Sequence, residues 1–235
     1  MNLSIIPEGG VDAIFFDAGG ILVLPDPTVI APLLAPYGGS VDLEAHCRAH
    51  YSGMAAKSRA ESGESDWSAY DRAYVSSVGV DSELVDRAGE LLGRTRSADL
   101  WRWPIADSVK ALTGLAEIGL PMSVVSNAAG QIEWVLAHTG ICQVGAGSGT
   151  SMRVVVDSDV VGVAKPDPRI FDFALVHHTE SERSRVLYIG DSVTMDVGGA
   201  SAAGLHPILL DPFDDHAGAD FPRLRSLTDL LALLA

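Results

Sequence analysis

The sequence predicts an α/β fold in which a parallel sheet is covered by helices on both faces and an all-helical segment follows the first strand. Two observations support this prediction. From residue 104 onward, apolar strand-like runs alternate with amphipathic helical segments, which is typical of parallel sheets. Residues 28–101 show mainly helical spacing of their apolar side chains. The chain of 235 residues is long enough for one sizeable core with a smaller inserted module.

The first strand is predicted from an apolar run that begins at Ala13 and extends to about Val23. This run carries Asp17 into a glycine-rich turn, and two prolines, Pro25 and Pro27, interrupt it. Ligands of open α/β sheets bind beyond the carboxyl ends of the strands. Asp17 is therefore predicted to lie where such a fold does its chemistry, as the nucleophile.

The remaining elements follow from apolar periodicity and from the glycines and prolines that separate them. The inserted region is predicted to contain four helices, near residues 28–37, 41–59, 66–78 and 82–95. Later helices are predicted over residues 105–118, 131–139, 168–177 and 195–203, with a terminal helix from residue 227. Strands are predicted over residues 122–126, 153–157, 185–190 and 207–210. The chain is expected to divide into a core of residues 1–24 and 104–235 and a helical domain of residues 25–103.

Composition argues against several classes of partner. The net charge of −15 repels phosphate backbones and anionic membranes, so neither nucleic acid nor a membrane is an expected partner. No apolar run approaches the roughly 18 to 20 residues that span a bilayer, and no targeting signal precedes the first strand. Cys47 and Cys142 lie far apart and match no metal-binding spacing. A cytoplasmic protein is expected.

Polar side chains also follow three later segments. Ser126 and Asn127 end one strand, Lys165 precedes a proline-bounded loop, and Asp191 ends another strand five residues before Asp196. Each feature alone has an ordinary explanation, since such residues cap helices or are simply solvated. Together they place a hydroxyl, an amide, a lysine and two acids at or near the same ends of neighbouring strands, where the fold binds its ligands.

The order and spacing of these four motifs resemble the haloacid dehalogenase superfamily, which consists largely of phosphohydrolases. The resemblance covers residues 12–24 and 104–210. It implies a doubly wound, Rossmann-like core with an inserted all-helical cap, and residues 25–103 look like that cap.

The resemblance also implies a role for each residue of the motifs. Asp17 would form an aspartyl-phosphate that water later hydrolyses. The catalytic set would include Ser126, which binds a phosphoryl oxygen with help from Asn127, and Lys165, which neutralises negative charge. Magnesium would be held by Asp17, by the backbone carbonyl of Gly19 and by Asp191, with Asp196 orienting this site from behind. The expected partner is a small phosphorylated molecule.

Gly19 departs from the pattern, because phosphatases of this superfamily usually carry an acid at that position that protonates the leaving oxygen. General acid–base catalysis contributes on the order of 10²- to 10⁴-fold in rate, so restoring the acid with Gly19→Asp is expected to raise hydrolysis. A cap residue is a possible substitute for the acid. The candidates are His46, His50, Tyr51, Lys57 and Arg59.

Three functions stay open at this point. The first is a magnesium-dependent hydrolase of a small phosphorylated metabolite, attenuated by the missing acid. The second is a carbon–halogen or carbon–phosphorus bond hydrolase; in the phosphonate case Lys57 would be the Schiff-base lysine. The third is a phosphate-binding or regulatory protein with little turnover.

Overall fold

The computed structural model describes residues 4–235, so residues 1–3 of the predicted core lie outside the described residues. Its strands are β1 (Ala13–Phe16), β2 (Val23–Pro25), β3 (Trp101–Pro104), β4 (Met122–Ser126), β5 (Cys142–Val144), β6 (Thr150–Met152), β7 (Val155–Asp157), β8 (Val186–Gly190), β9 (His206–Leu210) and β10 (Arg223–Leu224). Its helices are α1 (Pro27–Leu34), α2 (Leu43–Arg59), α3 (Ser68–Ser77), α4 (Val85–Thr95), α5 (Ala106–Ile118), α6 (Ile132–His138), α7 (Ser158–Val161), α8 (Asp172–Leu175), α9 (Gly199–Ala202) and α10 (Leu227–Leu234). None of the described helices is long and apolar enough to cross a membrane.

Six strands form the central sheet in the order β10-β9-β8-β1-β4-β7, and all neighbouring pairs are parallel. Every residue of β1 is buried, as its unbroken apolar sequence predicts for a central parallel strand. Its side chains alternate between the two faces: Ile14 and Phe16 belong to one buried cluster, Ala13 and Phe15 to the other. The first cluster includes side chains of α5 and α10, and the second includes side chains of α9. The predicted α/β fold with a doubly wound sheet is confirmed.

The prediction of a single strand from Ala13 to Val23 is wrong, because β1 ends at Phe16 and a tight turn follows it. The amides of Leu22 and Val23 both donate to the Ala18 carbonyl, which folds the chain back on itself. The apolar run therefore continues into β2, which leaves the central sheet and pairs antiparallel with β3. This two-stranded ribbon carries the chain into and out of the helical region.

The helical region contains α1 to α4 and has its own buried cluster, separate from the two clusters of the sheet. Apolar and aromatic side chains from all four helices meet there, including Ile30 of α1, Ala49 of α2, Tyr74 of α3 and Leu92 of α4. A region with its own apolar core can behave as a unit distinct from the sheet. Its division from the core at residues 25 and 103 stays a prediction.

Smaller differences lie in the C-terminal half of the chain. The predicted helix over residues 168–177 consists of a 3-10 turn, Pro168–Phe171, followed by the short α8. The one predicted over residues 195–203 begins with a π-helical turn, Val193–Gly198, before α9. A separate parallel pair, β5 and β6, was not predicted, because three residues are too few to show an apolar period.

Candidate active site

The predicted site residues of the sheet come together at one edge. Asp17 directly follows β1, Ser126 is the last residue of β4, and Asp191 directly follows β8. These three strands are neighbours and run in the same direction, so their ends are adjacent. Asp196 lies in the π-helical turn after β8, and carboxylate oxygens of the three acids lie within 4.8 Å of one another.

Lys165 links two of these acids. Its buried Nζ lies 3.0 Å from Asp17 Oδ2 and 2.7 Å from Asp196 Oδ1, and it donates a hydrogen bond of 2.8 Å to the Tyr188 hydroxyl. Burial alone would lower the pKa of Lys165, but the neighbouring carboxylates of Asp17 and Asp196 raise it above its ordinary value. Lys165 is therefore a fixed positive charge beside the predicted nucleophile.

The Asp17 carboxyl group lies in an unfavourable environment for a negative charge. Its pKa is raised to about 7, mainly by burial and further by repulsion from Asp196 and Asp191, although Lys165 opposes the shift. Burial also raises the pKa of Asp191. One lysine does not balance three converging acids, so the cluster has a deficit of positive charge that a cation would offset.

The two acids after β8 differ in how their oxygens are used. Asp196 Oδ2 accepts hydrogen bonds from the backbone N–H groups of Asp191 at 3.0 Å and Ser192 at 2.9 Å. Asp196 Oδ1 accepts from Lys165 and from the Tyr188 hydroxyl at 3.1 Å. Both oxygens of Asp196 are therefore engaged in holding the loop and the lysine, whereas Asp191 Oδ1 accepts no hydrogen bond from the described residues.

Asn127 positions the lysine loop. Its Oδ1 accepts the backbone N–H of Lys165 at 2.8 Å, and its Nδ2 donates to the Lys165 carbonyl at 3.0 Å. This two-point contact fixes the backbone from which the lysine side chain extends. Ser126 is buried and borders the same cavity as Asn127.

Trp101 occupies the space beside Gly19. A Cβ atom built on Gly19 would lie 3.0 Å from Trp101 Cζ3 and 3.3 Å from Cε3, and the backbone at Gly19 is outside the left-handed region. The indole is the obstacle to a side chain here, because the backbone would accept one without strain. Its place in the β2–β3 ribbon brings Trp101 onto the loop that follows Asp17.

A cavity of about 390 Å³ opens between the sheet edge and the helical region, a size that suits a small-molecule ligand. All seven predicted site residues line it, namely Asp17, Gly19, Ser126, Asn127, Lys165, Asp191 and Asp196. The opposite wall includes Met54, Lys57, Glu64, Trp67, Arg96 and Trp101.

A family model described as haloacid dehalogenase-like hydrolase matches residues 11–204. The chain belongs to this family. This HAD-like hydrolase is 34% identical over 136 residues to haloacid dehalogenase-like hydrolase domain-containing protein 3 of Bos taurus, covering 56% of this chain and 51% of that protein. It is 29% identical over 171 residues to the glyceraldehyde 3-phosphate phosphatase of Methanopyrus kandleri, covering 67% of this chain and 69% of that protein. The match thus spans about half the length of the bovine relative.

The fold is shared with a solved HAD phosphatase from Thermococcus onnurineus, at a TM-score of 0.57 and 22% identity over 96% of this chain and 98% of that one. The predicted family and the prediction that the chain is a hydrolase with phosphatases among its relatives are confirmed. The roles of individual residues stay predictions.

Two of the cap residues proposed to replace the missing acid reach the core of this HAD-like hydrolase. His50 Nε2 donates to Asp191 Oδ2 at 2.8 Å, and its Nδ1 accepts from the Tyr70 hydroxyl at 3.0 Å. The Tyr51 hydroxyl donates to the Gly20 carbonyl at 2.7 Å. Both side chains connect α2 to the core, and neither lines the cavity.

The other three candidates do not reach the acids. His46 bonds within the helical region, to the Tyr74 hydroxyl and the Ser40 carbonyl, and Arg59 is exposed at the end of α2. Lys57 lines the cavity, but its Nζ donates to three backbone carbonyls, those of Gly63 at 2.8 Å, Glu64 at 3.1 Å and Asp66 at 2.7 Å.

Proposed function

We propose that this HAD-like hydrolase removes the phosphoryl group from a small phosphorylated metabolite, in a magnesium-dependent reaction through an aspartyl-phosphate at Asp17. The observation that carries the proposal is the position of Asp17, which borders the cavity with Lys165 Nζ 3.0 Å from its carboxylate. Phosphatases among the relatives support the same reaction class.

The acidic cluster fits magnesium, because carboxylate and carbonyl oxygens are the ligands that this ion prefers. Asp17 and Asp191 would hold it together with the Gly19 carbonyl, since Asp191 Oδ1 has no protein partner among residues 4–235. Asp196, whose oxygens are already engaged, would orient the site without binding the ion directly. Bound there, magnesium would withdraw negative charge from the phosphoryl group.

In the first step a carboxylate oxygen of Asp17 attacks phosphorus, and the bond from phosphorus to the ester oxygen breaks. The electron pair stays on the leaving oxygen, which takes a proton from water. Lys165 offsets the charge of the nucleophile and the transferred group, and the Ser126 hydroxyl donates to a phosphoryl oxygen. In the second step water attacks the phosphorus of the aspartyl-phosphate, which releases inorganic phosphate and restores Asp17.

The site has no acid at position 19 to protonate the leaving group. Gly19 supplies no acid, and Trp101 fills the adjoining space. Outside the three clustered acids, the lining contains one further carboxylate, the exposed Glu64 on the cap wall. Turnover is therefore expected to favour esters whose leaving groups need little protonation, such as aryl phosphates.

The missing acid also favours a second candidate, a phosphate-binding protein with little turnover. The contacts of Lys57 argue against a phosphonate hydrolase. Burial lowers the pKa of this lysine, as a Schiff-base amine requires, but its Nζ already donates to three carbonyls.

The test measures phosphate release from alkyl and aryl phosphates by the full chain, with and without magnesium, followed by acid-quench trapping of labelled phosphoenzyme. We expect magnesium-dependent release and a label that is absent in Asp17→Asn. Calorimetry should show loss of magnesium binding in Asp191→Ala. Magnesium binding without release or label on any ester would favour the binding protein over the hydrolase.

A further inference from the structure

Arg96 stands directly after α4 and borders the cavity on its cap side. Its guanidinium lies over the Trp67 ring at 4.5 Å from the centroid and donates one hydrogen bond, to Asp71. The side chain is 22% exposed, and its other N–H groups have no acceptor within residues 4–235. Two contacts thus fix the guanidinium while most of its donors stay available.

Lys57, the other cation on this wall, differs in that respect. An ammonium group has three donors, and each of them already points to a backbone carbonyl of the segment that precedes Trp67. Lys57 therefore stabilises the loop and has no donor left for a ligand. Arg96 is the cap cation that can receive an anion.

We propose that Arg96 determines specificity by binding a second oxyanion, a carboxylate or a further phosphate, on the leaving-group side of the substrate. This inference rests on the proposed function, which places the transferred phosphoryl group at Asp17 on the opposite wall. A planar guanidinium binds carboxylate and phosphate oxygens through paired hydrogen bonds. Because the contacts with Asp71 and Trp67 hold it in place before a ligand arrives, little side-chain freedom is lost on binding.

Electrostatics favour this assignment. A chain with a net charge of −15 repels anions over most of its surface, so a doubly anionic substrate needs positive groups at both ends. Lys165 and the proposed cation supply one end, and Arg96 supplies the other. The cavity of about 390 Å³ holds both groups within one small-molecule site.

The experiment compares matched esters on the full chain: 3-phosphoglycerate with glycerol 3-phosphate, and 4-carboxyphenyl phosphate with phenyl phosphate. Arg96→Gln is expected to lower kcat/KM for the carboxylated esters by about 10- to 100-fold, mainly through KM, and for the esters without a carboxylate by less than about 2-fold. A substrate with a second phosphate in place of the carboxylate is assayed in parallel, and it shows which of the two oxyanions Arg96 binds better. Arg94→Gln is the matched control, because Arg94 lies in the last turn of α4, is 79% exposed and pairs only with Glu90 at 3.7 Å among the described residues.

Arg96→Lys protects the test against misfolding, since lysine keeps a positive charge beside the buried Asp71 but lacks the paired donors. It is expected to fold normally and to show an intermediate loss on carboxylated esters. An equal loss on esters with and without the carboxylate, or no loss on either, would overturn the proposal.

Binding of non-hydrolysable analogues gives a readout that does not depend on turnover. Calorimetry with magnesium should show that the wild type prefers 3-phosphonopropionate to propylphosphonate and that Arg96→Gln loses this preference. If the esters are not hydrolysed but the preference is found, the proposed function fails while Arg96 keeps its role. No preference in the wild type would refute the role of Arg96.

Discussion

The two walls of the cavity use their charged residues in opposite ways. On the core wall, Asp17, Lys165 and Asp196 contact one another directly, and the carboxylate at Asp17 stays accessible from the cavity. On the cap wall, Lys57 is engaged by backbone carbonyls of its own region, and Arg96 is held by Asp71. The core wall therefore holds its charged groups together at the cavity, whereas of the two cations on the cap wall only Arg96 keeps donors available for a ligand.

The inserted region and the core meet at two contacts that bear on the proposed chemistry. Trp101 covers Gly19, and His50 bonds to Asp191. The first contact occupies the place of a proton donor, and the second connects the cap to a proposed metal ligand. The inserted region therefore encloses the cavity and also contacts the core at Gly19 and Asp191.

The largest expected effect tests the core wall. Lys165→Met should lower kcat on the order of 10³-fold, because it removes the one cation among the described residues that contacts Asp17 and leaves three acids facing one another. Steady-state phosphate release with magnesium measures the loss. Lys110→Met, an exposed change on α5, is the control and should leave kcat unaltered. A Lys165 variant that folds and retains its kcat would show that the core charges are structural.

The next effect tests the contact between the walls, and it bears on the expectation that Gly19→Asp alone would raise activity. The new side chain would grow toward the indole of Trp101. Only Gly19→Asp combined with Trp101→Ala is expected to gain, by up to about 10²- to 10⁴-fold on an alkyl phosphate and less on an aryl phosphate. The test measures the rate of phosphate release and the melting temperature of both single variants and of the double variant. Equal gains in Gly19→Asp and the double variant would mean that the indole is no obstacle.

A third prediction concerns pH and the acids of the core wall. The pKa of Asp17 is raised from 3.8 to about 7 in the folded chain, so the metal-free protein loses stability as the pH rises between these values. The loss is on the order of a few kcal/mol. Asp17→Asn cannot ionise, so its stability relative to the wild type should rise from pH 5 to pH 8 in urea unfolding without magnesium. A constant difference between the two proteins would contradict the burial of this charge.

Magnesium should reverse the effect. At pH 8 it is expected to raise the melting temperature of the wild type more than at pH 5, because the ionised cluster binds it better. Asp191→Ala should show little of this increase. Sodium chloride at equal ionic strength separates ion binding at the cluster from general screening.

The smallest effect tests the cap wall. Lys57→Met should cost about 1 to 3 kcal/mol of stability, because three loop carbonyls lose their donor. Turnover of an aryl phosphate without a second charged group should change little, and borohydride should trap no adduct at Lys57 with an aldehyde substrate. Arg59→Met, at the exposed end of the same helix, is the stability control. Abolished turnover with unchanged stability would instead give Lys57 a chemical role.

Much of the core site could be predicted because its signals are local. Asp17, Ser126 and Asp191 each stand at the end of an apolar run, and parallel strands place such ends together. The turn after Phe16 could not be read from hydrophobicity, since the apolar run resumes at Ile21 on the far side of it. Its cause is the hydrogen bonding to Ala18, which a pattern of apolar residues does not encode.

The sequence by itself determined the family-like order of motifs, the alternation of strands and helices, and the absence of an acid at position 19. Only the tertiary structure decided that Trp101 occupies the space beside Gly19 and that Arg96, unlike Lys57, has donors available for a ligand. Nothing in the sequence of the inserted region distinguishes the roles of Trp101, Lys57 and Arg96, which differ because of what each side chain contacts. Those contacts join segments far apart in the chain, so they depend on how the helical region packs against the sheet and not on any local pattern.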